Sequence, residues 1–147
     1  MENSKETDEF VKLKDTYVYV VVDTVNIAEK GTDECVKFSD NRNDRPEIGP
    51  NFTSKVDKGR KITWCGIVKD AIDHKGDSVA IELISIKEKG RGSNILKDTM
   101  YEDENGDGVV VGKIKDKDES AKESYNITIR VNGADPIIID PQLQMNQ

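Results

Sequence analysis

Apolar and polar residues alternate along most of this chain, and no long segment repeats apolar positions at i, i+3, i+4 and i+7. A period of two belongs to strands, whose side chains point to opposite faces in turn. Residues 124–132 show it most plainly, with Tyr125, Ile127, Ile129 and Val131 predicted inside and Asn126, Thr128 and Arg130 outside. Residues 60–69 predict another strand, with Ile62, Trp64 and Val68 on one face and Thr63, Cys65 and Ile67 on the other. Residues 16–24 are apolar almost without a break, which predicts a central strand covered on both faces. In residues 78–87, Val79, Ile81 and Leu83 share one parity, while Ile84 and Ile86 take the other. One face cannot bury both sets, so a β-bulge or bend is expected near Leu83–Ile84. Residues 108–115 and 136–140 complete the pattern, the last fenced by Pro136 and Pro141.

Between these runs lie turn clusters such as Lys75-Gly76-Asp77 and Asn132-Gly133-Ala134-Asp135-Pro136. Residues 41–51 and 115–124 read as longer charged linkers, and 55–61 as a solvated loop. The fold class that follows is all-β: an antiparallel β-sandwich of about 7–8 strands. Residues 1–15 form a polar N-terminal arm, in which only Phe10, Val11 and Leu13 could dock, and residues 16–147 form one domain. At 147 residues the chain is long enough to bury a single core.

Composition narrows the function. The formal net charge is −7, and Lys and Arg are interrupted by acids nearly everywhere, which argues against nucleic acid. No stretch approaches the roughly 20 apolar residues of a membrane span. The first residues lack the basic start and apolar run of a secretory signal, so a cytoplasmic protein is expected, with Cys35 and Cys65 as reduced thiols.

The order of features is also familiar. An early strand ends in Val22-Asp23-Thr24, a loop leads through Gly59 to Ile62-Thr63-Trp64-Cys65-Gly66, a late strand opens with Tyr125, and Ile139-Asp140-Pro141 follows. From Thr16 to Pro141 this layout resembles the bacterial inclusion-body protein family of the PixA and AidA type. The resemblance implies a small β-sandwich that accumulates in the cytoplasm, with sugar binding implicated for some members. The chain departs from the family pattern at Arg60, where an acid is usual, and at Ile138 and Ile139, where an aromatic is usual. No sugar-binding residue is therefore carried over.

Candidate chemistry is sparse. Asp103, Asn105 and Asp107 alternate ahead of Gly108, the opening spacing of a calcium loop, for which oxygen ligands are needed six to eight at a time. The twelfth position counted from Asp103 is Ile114, which has no oxygen, and a strand follows where a helix should, so an EF-hand is excluded. A looser calcium loop completed by Glu102 or Glu104 is one reading. A tight hairpin is the other, because Asn-Gly and Asp-Gly supply the positive-φ positions that such a turn needs. His74, the sole histidine, lies in an expected surface turn, and no nucleophile elbow or zinc-ligand set accompanies it. Trp64 is expected in the core, and Tyr101 exposed beside the acidic turn. The expected function is thus a non-enzymatic interaction protein, without a cofactor, that self-assembles or recognises a partner or glycan. The alternative is a calcium-dependent ligand-binding module on Asp103, Asn105 and Asp107.

Overall fold

The structure, a computed structural model, describes residues 12–42, 51–87, 92–117 and 120–146. Alternation becomes strands: β1 (Thr16–Val22), β2 (Val36–Asp40), β3 (Thr53–Val56), β4 (Lys61–Val68) and β5 (Val79–Ile86). β6 (Met100–Glu102), β7 (Val109–Lys113), β8 (Lys122–Val131), β9 (Ile137–Ile139) and β10 (Gln142–Met145) follow. Two single-turn helices, α1 (Ile27–Lys30) and α2 (Thr32–Cys35), fill the connection from β1 to β2.

The strands form a four-stranded sheet, β2-β1-β4-β7, and a six-stranded sheet, β3-β10-β8-β5-β6, in which β9 also pairs with β8. The expectation of a purely antiparallel arrangement is corrected: β1 pairs parallel with β4, and β10 parallel with β3. The cause is connectivity. After β2 the chain passes through β3 in the other sheet before returning beside β1, and such a crossover lets two strands run the same way. Side-chain alternation carries no information about strand direction.

One cluster of buried side chains takes members from both sheets, among them Val18, Val20, Ile62, Ile81, Ile127 and Ile129. Trp64 and Tyr125 tie the sheets across it. The indole Nε1–H donates to the Tyr125 hydroxyl at 2.9 Å, and the two rings lie 5.8 Å apart. The β5 irregularity falls between Ile81 and Leu83, beside the predicted position. It lets Ile81 and Ile84, three residues apart, both reach 0% exposure. Gly66 marks a second close approach: a Cβ there would lie 2.4 Å from the Val79 carbonyl oxygen.

Two expectations fail locally. β1 is central in its sheet but covered on one face only, since Tyr17 is 41% exposed. Residues 55–61 are a solvated turn only around Gly59 and Arg60. Their first part is the end of β3, and Asp57 is 5% exposed, accepting from the Lys14 amide at 2.8 Å, Arg42 Nη2 at 2.9 Å and Asn146 Nδ2 at 3.0 Å. Of the arm, residues 1–11 lie outside the described residues. Asp15 is fastened, accepting from Arg60 Nε and from the Lys61 amide.

Candidate functional site

The acidic turn joins β6 to β7, and these strands belong to different sheets: β6 pairs with β5, and β7 with β4. The hairpin reading is therefore corrected to a crossover turn. Its glycines do what the spacing suggested, with φ of 69° at Gly106 and 79° at Gly108. The carboxylates serve the turn's own backbone. Asp103 accepts from the Asp107 amide at 3.2 Å and the Gly108 amide at 2.7 Å, and Asp107 accepts from the Val109 amide at 3.1 Å. The Gly108 amide is the main reason the Asp103 carboxyl sits below its usual range. Asn105, Glu102 and Glu104 are exposed. Among the described residues no three His, Cys, Asp or Glu side chains stand together in a way that could hold a metal.

His74 is half-buried in its turn, where its amide donates to the Ala71 carbonyl and its carbonyl accepts from Asp77. The carboxylate of Asp77 is taken by the Thr24 hydroxyl at 2.5 Å. Cys35 and Cys65 are unpaired thiols, the first buried and the second half-buried. Burial pushes both up, and the nearby Asp107 charge adds to the rise at Cys65, so neither is an activated nucleophile. Tyr101 is half-buried rather than exposed: its hydroxyl accepts from the Asp98 amide at 2.9 Å and donates to the Lys113 carbonyl at 3.3 Å. Trp64 is fully buried, as expected.

The feature that sequence reasoning missed is the outward face of the four-stranded sheet. β1 sends Tyr17, Tyr19 and Val21 outward, β4 sends Thr63, Cys65 and Ile67, and β7 sends Val109 and Val111. Tyr17, Ile67 and Val111 are 41%, 39% and 48% exposed. The register sets these side chains in rows: Val21 lies between Lys37 and Ile67, and Tyr19 between Ser39 and Cys65. A recess of about 210 Å³ opens at one corner, walled by Val21, Lys37, Cys35 and Glu34 among others. The signal was present in residues 16–24. Their unbroken apolar run reflects one buried face and one exposed apolar face.

No protein-family model matches the chain, and no curated protein matches its sequence. Among solved structures it is similar to the crystal structure of an inclusion body protein (PixA) from Burkholderia cenocepacia J2315. The TM-score is 0.60 over 93% of this chain and 98% of that one, at 12% identity. The two share a fold. The resemblance seen in the sequence thus has a three-dimensional counterpart, and the residues that carried it are structural ones. Gly59 turns with φ of 71°, Trp64 meets Tyr125 in the core, and the Tyr125 amide donates to the Pro141 carbonyl at 3.1 Å. No helix among the described residues is long and apolar enough to cross a membrane.

Proposed function

We propose that this protein is a non-enzymatic β-sandwich of inclusion-body type whose work is to associate with copies of itself in the cytoplasm. The observation that carries the reading is the fold shared with an inclusion body protein over nearly the full length of both chains. Two further facts support it. The reactive side chains of the described residues are dispersed, with His74 in one turn and the carboxylates of another occupied by backbone amides. The outer face of the four-stranded sheet, by contrast, displays aromatic and aliphatic groups to solvent. A contiguous apolar surface of this kind marks an interaction site. Glycan recognition would have to rest on the Tyr17 ring, which is 41% exposed, since Trp64 is 0% exposed and offers no surface to a sugar.

Sedimentation or light scattering over a concentration series tests the proposal. The mass is expected to rise with concentration, equally with calcium and with chelator. A single-copy mass at every concentration would overturn it.

A further inference from the structure

On one side of the molecule the sheets end in β6 and β7, and a groove of about 550 Å³ runs between these two edges. In an antiparallel ladder, alternate residues exchange their backbone bonds with the partner strand and the others turn theirs away. The Ile86 amide donates to Thr99 and the Asp103 amide to Glu82, which sets the phase of the β5–β6 ladder. Met100 and Glu102 therefore aim their amides and carbonyls away from β5, and among the described residues no strand lies beside them. The facing edge of β7 is largely occupied. Its Lys113 carbonyl accepts from the Lys97 amide at 2.9 Å and the Tyr101 hydroxyl at 3.3 Å, and its Val109 amide donates to Asp107 at 3.1 Å. The open ladder is thus on β6.

The side chains along this edge say what would extend it. Asp98, Glu102 and Glu104 line the groove against a single cation, Lys113 on the β7 wall. None of the three acids has an ion-pair partner among the described residues. Between the acids stands Met100, 52% exposed, with Val111, 48% exposed, on the facing wall. A strand added to β6 would place an aliphatic side chain opposite Met100. Two residues along, on the same face, it would place a basic one opposite Glu102.

We infer that the β6 edge takes an extended peptide segment, with an aliphatic residue flanked at alternate positions by basic ones, as a further strand of the six-stranded sheet. Strand addition of this kind draws affinity from main-chain bonds and specificity from alternate side chains. The inference goes beyond the assembly reading and is independent of it, since peptide binding reports on β6 whether or not copies associate.

The probe is the end-blocked peptide Lys-Thr-Val-Thr-Lys carrying a fluorophore, titrated against the protein by anisotropy. It should bind saturably, whereas Glu-Thr-Val-Thr-Glu should not. Methylating the valine nitrogen keeps the charge but removes a ladder donor, and should weaken binding about tenfold. Glu102→Lys should weaken it by a similar factor. Met100→Pro removes the edge amide without touching the β5–β6 ladder and should do the same, while Val111→Pro, which likewise spares its own ladder, should leave binding unchanged. Melting temperatures are read beside each variant. If a proline variant fails to fold, the methylated peptide and Glu102→Lys decide. No saturable binding overturns the inference. Equal binding of the methylated peptide reduces the effect to charge attraction and overturns strand addition. Loss in folded Val111→Pro with retention in folded Met100→Pro overturns the assignment to β6.

Discussion

Asp57 and Arg42 form an ion pair at 2.9 Å with side chains only 5% and 8% exposed. Removing one partner from such a pair strands the other charge out of water. Arg42→Ala should therefore destabilise the fold by about 3 kcal/mol, at the lower end for a broken buried pair because the Lys14 and Asn146 amides still reach Asp57. Denaturant unfolding measures this. Burial by itself raises the Asp57 carboxyl, but the Lys14 amide, Arg42 and Asn146 outweigh it and hold the group below its usual range. Asp15, held by the Lys61 amide, and Asp23, held by the Asn26 side chain, are lowered as well. Their folded pKa values lie below the unfolded value of about 3.9. The stability they confer is therefore complete above that pH and is lost as pH falls through the folded values. Melting temperature should be flat near neutrality and drop below about pH 4. Tyr125→Phe should cost about 1–3 kcal/mol in the same assay, since it leaves the Trp64 N–H buried without its acceptor. Of these residues the sequence reveals Trp64 and Tyr125, whose size and strand parity send them inward. It does not reveal Asp57, which stands among Lys55, Lys58 and Lys61 and turns inward only because β3 ends there.

At the scale of elements, the long strands were legible, as was short β9 between Pro136 and Pro141, whereas β3, β6 and β10 were not. β4, β5 and β8 run eight residues or more, enough for a period of two to stand out. β3 and β10 have four residues each and β6 has three, too few for alternation to separate from chance. The β5 bulge was legible because two buried parities cannot share one face of a regular strand. The partner of each strand was not, so the acidic turn read as a hairpin when it passes from one sheet to the other. Its carboxylates act as caps for the turn's amides. Millimolar calcium should accordingly leave the melting temperature unchanged, whereas Asp103→Ala should lower it equally with calcium or chelator. Gly66 is a tighter constraint than any turn glycine. A methyl group there meets backbone at 2.4 Å, so Gly66→Ala should lose roughly 1–3 kcal/mol by forcing β4 and β5 apart, as read by thermal unfolding.

Across the whole molecule, the two sheets enclose a single core, and the smaller sheet turns an apolar outer face to solvent. Overall fold class was readable from periodicity, and the family likeness from the placing of Gly59, Trp64 and Tyr125. The apolar outer face was hidden by its own strength, since a strand apolar on both sides looks the same in sequence whether a partner covers it or solvent does.

β10 sits between β3 and β8, and the Thr53 and Gln142 side chains meet although they are 89 positions apart. A ribosome releases β3 long before its neighbour exists. Until residues 142–145 emerge, each growing chain holds an unsatisfied edge, open to the same edge on the next chain of the polysome. Maturation therefore waits on the last strand, and pairings so remote in sequence are slow to form. The interval before β10 arrives is when native pairing and aggregation compete.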